Sequence, residues 1–361
     1  MATAEEATNQ PMTLRDRLLG WREIMQTANV PEGRQMDTVG KWLVMTRAAV
    51  FPMTLWSGTI GALLAVEQAR IFPGTLLIDW LAVILAVTGI VLAHAANNLI
   101  NDYFDMSQGI DTEGYVRALY APHPVLAGWI TRAGLRNAII LLTLIDGVIM
   151  LALAARNAQP ALLIAFALAG LFLSVFYVAP PFSLKRRGLG ELDVFLTWGP
   201  LMIGGTFLVA TGTLPLWVLA FSMPYALLVT SVLFGKHIDK IVPDAALGIR
   251  TLPVILGEPL ARRVNQVIMV SFYPLVLLAV LAGWVGPWVL LAALAIPELI
   301  RALRFYQEPK PDAPPAWYPK RGWPLWFVGF AFRHVRLAGF LMTLGLVLNV
   351  LAPVSLPLPW L

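Results

Sequence analysis

Long apolar segments alternate with short polar segments along the whole chain. Nine such segments can be drawn, each close to the roughly 20 residues that a helix needs to cross a bilayer. They cover residues 42–66, 76–101, 134–155, 160–179, 192–211, 215–235, 265–283, 285–303 and 335–353. Only helices and closed barrels satisfy the backbone in lipid, and these segments lack the alternation of barrel strands. The pattern predicts an all-α integral membrane protein with nine transmembrane helices.

The composition supports this interpretation. Of the 361 residues, 58% are hydrophobic and 13% are charged, and the mean hydropathy is +0.72. A soluble domain carries about 25% charged residues, so most of this surface cannot face water. The chain has no cysteine, which excludes disulfides, thiolate zinc sites and cysteine nucleophiles.

The positions of the cations predict the orientation in the membrane. The net charge is +5, and the lysines and arginines cluster in the N-terminal segment and in every second connection between apolar segments. Cytoplasmic loops are enriched in these residues, so we expect a cytoplasmic N-terminus and an external C-terminus. Topology therefore explains the positive charge, and we expect no nucleic-acid partner. We expect the prokaryotic inner membrane as the location.

Two regions flank or interrupt the apolar pattern. Residues 1–40 are predicted to form a cytoplasmic segment without a signal peptide, in which residues 12–29 suit either a helix on the membrane surface or a solvated tail. Residues 41–355 are predicted to form one nine-helix membrane domain. Within it, the stretch 309–324 is rich in proline and aromatic residues, which favour an ordered loop at the membrane interface.

The second apolar segment ends in a polar stripe. At about 100° per residue, five side chains fall within a stripe roughly 140° wide on one helix face. They are Asn97, Asn98, Asn101, Asp102 and Asp105. Gly109 allows a turn that would return Asp111 to the same place. Carboxylates this close need a cation among them, and oxygen ligands alone select a hard ion such as Mg²⁺.

The sixth apolar segment also ends in carboxylates, at Asp239 and Asp244. Two acidic helix ends at corresponding positions suggest two pseudo-repeated four-helix units around a central cavity. A diphosphate bridged by two metal ions would fit between them. Lys185 and Arg186 lie in a connection on the same predicted side, with Arg47 and Arg250 within reach. Cations there would neutralise a departing diphosphate.

These motifs resemble a known family. The sequence from Asn101 to Asp111 resembles the first aspartate motif of UbiA-superfamily prenyltransferases, and its glycine before the last aspartate is most similar to the menaquinone branch, which prenylates dihydroxynaphthoate. The stretch 177–191 resembles the basic loop of that branch, and 239–253 resembles its second aspartate motif. The resemblance covers roughly residues 40–300.

The resemblance implies a Mg²⁺-dependent transfer of a prenyl group from a polyprenyl diphosphate to a small aromatic acceptor within the bilayer. It implies one Mg²⁺ held by Asp102, Asp105 and Asp111, and a second held by Asp239 and Asp244. It implies diphosphate-binding roles for Asn98, Asn101, Lys185, Arg186, Arg250 and Arg47. Tyr177 is the candidate to stabilise the allylic cation with its ring.

Several features depart from the family pattern. Asp239 and Asp244 are five residues apart, where four is usual, and His123 precedes Pro124 where a lysine or arginine is common. The connection 305–333 is longer than expected. Asp146 stands alone in the third apolar segment, where we interpret it as a buried hydrogen-bonding residue rather than as part of a cavity wall.

Other functions remain open on the sequence alone. A UbiA-type terpene cyclase would ionise the same substrate without an acceptor, and a related transferase would use a non-quinone acceptor. A transporter also has polar, interrupted helices in two halves, but its site is usually near the midplane rather than at one membrane face.

Overall fold

The computed structural model describes residues 12–71, 78–110, 122–319 and 322–354, and the regular elements in these ranges are helical. In chain order the α-helices are α1 (Leu14–Thr27), α2 (Thr38–Met45), α3 (Phe51–Ile71), α4 (Trp80–Ser107), α5 (Arg132–Ala154), α6 (Pro160–Phe176), α7 (Gly190–Leu196), α8 (Gly205–Thr211), α9 (Leu216–Asp239), α10 (Ile241–Ala246), α11 (Leu252–Leu256), α12 (Glu258–Leu281), α13 (Ile296–Gln307) and α14 (Phe327–Leu351). Short 3₁₀ turns cover Ala48–Val50, Leu184–Arg187 and Pro287–Ala295, and the π-helical stretch Thr197–Gly204 joins α7 to α8.

Among the described residues, the prediction of an all-helical fold is confirmed, whereas the predicted nine crossings are not. In the described part of the chain, seven helical stretches are long and apolar enough to cross a membrane. They are Ala48–Ala69, Trp80–Ser107, Arg132–Ala154, Gly190–Thr211, Leu216–Asp239, Glu258–Leu281 and Phe327–Leu351. The other two apolar segments coincide with shorter elements, namely α6 and the 3₁₀ turn that continues into α13.

Two helices continue past the apolar segments that predict them. The second segment is drawn to residue 101, whereas α4 ends at Ser107. The sixth is drawn to residue 235, whereas α9 ends at Asp239. Hydropathy finds the part of a helix that suits lipid, while the backbone hydrogen bonds continue into the polar turns. Both acidic motifs therefore begin on the last turns of long helices.

Within the region 1–40, α1 is a helix with a defined start. Thr13 caps α1, because its hydroxyl accepts the N–H of Asp16 at 3.2 Å while the Asp16 carboxylate accepts from Thr13. Residues 12–29 are thus largely helical rather than an unstructured tail. The indole of Trp21 donates to Asp37 at 2.9 Å and fixes α1 beside the cap of α2.

The aromatic segment between α13 and α14 is packed against both helices. Phe305 stacks on Phe330 with ring centroids 4.0 Å apart, and Trp326 contacts both rings edge-on. Burial, and then the negative charge of Asp239, raise the pKa of Tyr318 to about 12. The Tyr318 hydroxyl stays protonated and donates to the carbonyl of Leu325.

Candidate active site

The end of α4 is held by an arginine from the turn before α3. The Arg47 guanidinium pairs with Asp102, whose side chain is fully buried, and donates to Asn98 Oδ1 at 3.0 Å. Asn98 in turn donates to the carbonyl of Thr46 at 2.9 Å. Arg47 has a φ of 53°, a left-handed conformation that non-glycine residues adopt only when their surroundings stabilise it. Arg47 thus contacts both Asp102 of the first motif and Asn98, one turn earlier on the same helix.

His123 has a local structural role at this motif. Its Nε2 donates to the carbonyl of Asp102 at 3.1 Å, and its Nδ1 accepts the N–H of Val125 at 3.3 Å. These two contacts define the neutral tautomer with the proton on Nε2. His123 therefore links the last turns of α4 to the backbone of Val125. A lysine at this position could not accept the Val125 N–H.

The basic loop docks on the same helix end. The Lys185 ammonium donates to both carboxylate oxygens of Asp105, at 2.9 and 2.7 Å. Arg186 donates to the Gln108 side-chain oxygen at 2.7 Å, and Gln108 donates to the carbonyl of Val178 at 3.2 Å. The sequence predicts that this loop and the first motif share one site, and the structure places them in direct contact.

A polar pocket of about 190 Å³ lies between these groups and α9. Of the sequence-predicted site residues, those that line it are Asn98, Asn101, Asp105, Tyr177, Lys185 and Arg47. Asn97 also lines it, and the Oδ1 atoms of Asn97 and Asn101 are buried and accept no hydrogen bond from the described residues. Carboxylate and amide oxygens that need a partner are the donor set that suits Mg²⁺.

The second motif is arranged differently from the first. The Asp239 carboxylate accepts the backbone N–H groups of Trp326, Phe327 and Val328 at 2.9, 2.9 and 3.1 Å. It therefore caps α14. Asp244 lies 3.1 Å from the Lys240 ammonium and is buried. Neither Asp239 nor Asp244 is among the residues that line the pocket. The structure therefore does not place the two carboxylates of the second motif together on the pocket wall.

The remaining site residues predicted from the sequence do not line the pocket, and one of them lies outside the part of the chain that the structure describes. Asp102 is buried behind the pocket wall and reaches it through Arg47. Arg186 and Arg250 are not among the lining residues, and the Arg250 side chain is exposed. Asp111 lies outside the described residues.

The α9 side of the pocket carries residues to which the sequence analysis assigns no role. Lys236, His237 and Lys240 line it, and His237 Nδ1 donates to Glu191 at 2.7 Å, with both side chains buried. Lys236 lies on the last turn of α9, Lys240 directly follows that helix, and the two side chains line the same pocket. The four-residue spacing of the two lysines is present in the sequence on either side of Asp239, and it could have identified them as candidate site residues.

The polar pocket adjoins an apolar chamber of about 280 Å³ among α4, α5, α6 and the π-helical stretch. His94, Asn97, Asp193 and Trp198 line both cavities. The interpretation of Asp146 as a hydrogen-bonded core residue was wrong: it lines the chamber, and its buried Oδ1 has no hydrogen-bond partner among the described residues. A charged head group in the pocket and an apolar chain in the chamber would suit this pair of cavities.

Comparisons with known proteins match this architecture. The model of the UbiA prenyltransferase family matches residues 54–332. The chain is 29% identical over 211 residues to the 2-carboxy-1,4-naphthoquinone phytyltransferase of Synechocystis sp., covering 57% of this chain and 65% of that protein. It is 25% identical over 220 residues to the 1,4-dihydroxy-2-naphthoate octaprenyltransferase of Bacillus subtilis, covering 60% and 68%. The match thus spans just under two thirds of the first relative's length.

A solved structure shares the fold. The UbiA homolog from Aeropyrum pernix K1 superposes with a TM-score of 0.59 at 15% identity, and the match covers 83% of this chain and 98% of that one.

Proposed function

This chain belongs to the UbiA prenyltransferase family, and from that premise we propose that it transfers a prenyl group from a polyprenyl diphosphate to a naphthoate-type aromatic acceptor in the membrane. One observation carries the proposal: a pocket lined by cations and oxygen donors adjoins an apolar chamber and shares four lining residues with it. Two naphthoquinone-pathway prenyltransferases among the relatives support the acceptor class.

The first aspartate motif fits a magnesium ion. Asp105, which lines the pocket, and Asp111 would hold it, with the unpartnered amide oxygen of Asn101 nearby, and Asp102 would support this site through Arg47 from behind the wall. Bound there, Mg²⁺ would supply positive charge to the leaving diphosphate.

The chain's own residues prepare the substrate for ionisation. Arg47 and Lys185 line the pocket and would donate to the diphosphate oxygens, which accept the electron pair of the breaking carbon–oxygen bond. Tyr177 is 8% exposed and lines the same pocket, so its ring can face the allylic cation. A ring carbon of the acceptor then attacks the cation and loses its proton, and the apolar chamber keeps water away.

The proposal also includes the topology predicted from the sequence. We propose nine crossings in two pseudo-repeated four-helix units plus a last helix, with the pocket at the cytoplasmic face. Seven long apolar helices and two shorter ones at the expected places support the number. The distribution of lysine and arginine supports the orientation.

The experiment is a product analysis with the purified protein. It would be incubated with Mg²⁺ and geranylgeranyl or longer diphosphates, with and without 1,4-dihydroxy-2-naphthoate, and the products identified by mass spectrometry. We expect a prenylated ring and released diphosphate only when acceptor and Mg²⁺ are both present. A cyclic hydrocarbon or alcohol formed without acceptor would identify a terpene cyclase and overturn the transferase proposal.

A further inference from the structure

Helix α9 presents cations, rather than carboxylates, to the pocket. Val229, Val232, Leu233 and Lys236 line it and recur every three to four residues along one face of α9, and Lys240, which directly follows the helix, lines the pocket as well. Asp239 lies on another face and points at α14. The end of α9 and the residue after it thus face the cavity with apolar side chains followed by two lysines.

The carboxylates of the second motif already have strong partners. Asp239 accepts three backbone N–H groups at the start of α14, and releasing it would leave those donors buried without an acceptor. Asp244 is 1% exposed and pairs with Lys240 at 3.1 Å. The donor set on this side does not fit a second magnesium ion.

The charge in the pocket favours an anion beside α9. On the wall formed by residues 229–240, the described lining residues include the two ammonium groups of Lys236 and Lys240 and no carboxylate, whereas Arg47 and Lys185 across the pocket are paired with Asp102 and Asp105. A divalent cation next to the two lysines would be repelled. A diphosphate would be attracted, and lysine is a common ligand of phosphate oxygens.

We propose that Lys236 and Lys240 bind the diphosphate directly and replace a second metal ion on the α9 side of the site. This inference rests on the proposed function. Each ammonium has three donors, so Lys240 can bond Asp244 and still donate to a phosphate oxygen. Asp244 is then a positioning residue that orients Lys240, and the α4 side alone uses a divalent ion.

The test measures binding and metal count rather than turnover. The probe is geranylgeranyl S-thiolodiphosphate, whose bridging sulfur resists ionisation, with Mn²⁺ in place of Mg²⁺. Wild-type protein, Lys236→Ala, Lys236→Gln and Lys236→Asp would be compared for the Kd of the probe and for the number of Mn²⁺ ions bound per chain by electron paramagnetic resonance. Elution on gel filtration in detergent checks the fold of each variant. The control is Arg187→Ala, which removes an exposed cation that donates to the Pro181 carbonyl at 2.8 Å and does not line the pocket.

We expect one Mn²⁺ per wild-type chain in the ternary complex. Lys236→Ala and Lys236→Gln should weaken probe binding by roughly tenfold or more, the cost of a lost charged hydrogen bond, with the ion count unchanged. Lys236→Asp should bind a second Mn²⁺. Arg187→Ala should match the wild type.

Two bound ions in the wild type, or unchanged affinity in Lys236→Ala and Lys236→Gln, would overturn the inference while leaving the transferase proposal intact. Failure of the proposed function is distinguishable, because it would show as the absence of a prenylated product from the wild-type enzyme.

Discussion

At the scale of single residues, Asp102 and Asp105 have different surroundings although they belong to one motif. Asp102 is fully buried against Arg47, whereas Asp105 lines the pocket beside Lys185. Removing a buried partner leaves a charge without compensation, which costs far more than losing a contact at a wet cavity.

The first prediction separates these two roles. Asp102→Ala and Asp105→Ala should both abolish Mg²⁺-dependent release of diphosphate. Asp102→Ala should in addition lower the free energy of unfolding by roughly 3 kcal/mol, because Arg47 loses its buried partner. Thermal unfolding in detergent and a diphosphate-release assay measure both effects. Normal turnover in the Asp105 variant would contradict the site assignment.

Asp239 provides the second prediction. Asp239→Ala should lower the melting temperature, because three N–H groups at the start of α14 lose their acceptor, each worth about 1 kcal/mol. The Mn²⁺ count of the probe complex should stay as in the wild type. A variant with wild-type stability but one fewer bound ion would instead favour the metal-ligand role predicted from the sequence.

The same residues show how far local sequence reasoning extends. The first motif could be predicted from the sequence because its polar side chains recur at helical spacing within nine consecutive residues. The partner of Asp239 was not readable, because Trp326 lies 87 residues further along the chain. The shared position of Lys236 and Lys240 could have been predicted from the sequence, because the two residues are four apart whereas Asp239 is out of that step.

At the scale of elements, the apolar pattern located the helices but not their ends or their irregularities. The π-helical stretch Thr197–Gly204 contains Pro200, which has no N–H to donate and disturbs the regular ladder. It exposes the carbonyl of Trp198 to the Ser57 hydroxyl at 2.7 Å and sets Trp198 between the two cavities. Hydropathy averages over such a distortion and cannot reveal it.

The close contact of α9 with α14 gives the third prediction. A Cβ on Gly235 would lie 3.1 Å from the backbone N and Cα of Val328, which cannot move without shifting the capped start of α14. Gly235→Ala should therefore destabilise the protein by about 1–3 kcal/mol. Gly147→Ala in α5 is the matched control, because its Cβ would meet no atom within 4 Å. Equal melting temperatures for the two variants would show that the helices are not so tightly packed.

At the scale of the whole molecule, the charge pattern and the apolar pattern agree on the same division of the chain. Every predicted apolar segment has a helical counterpart among the described residues. The joining of the two cavities could not be predicted in this way, since it depends on how α4, α5 and α6 pack together.

The fourth prediction concerns orientation, and the absence of cysteine makes the test simple. Single cysteines at exposed Arg187 and exposed Thr213 should lie on opposite sides of the membrane. A membrane-impermeant maleimide should label Thr213→Cys in intact spheroplasts, and Arg187→Cys only in inverted vesicles. Labelling of both from the same side would contradict the nine-crossing topology.

One contact described above has a mechanical consequence. Asp239, which joins the last turn of α9 to the first turn of α14, is the immediate neighbour of Lys240, and the Lys310 ammonium holds the Asp239 carbonyl at 3.2 Å. The long aromatic connection is thus bonded to the residue next to Lys240, one of the lysines that line the pocket. A change in the length of that connection would therefore be transmitted to the end of α9 through the hydrogen bonds of Asp239.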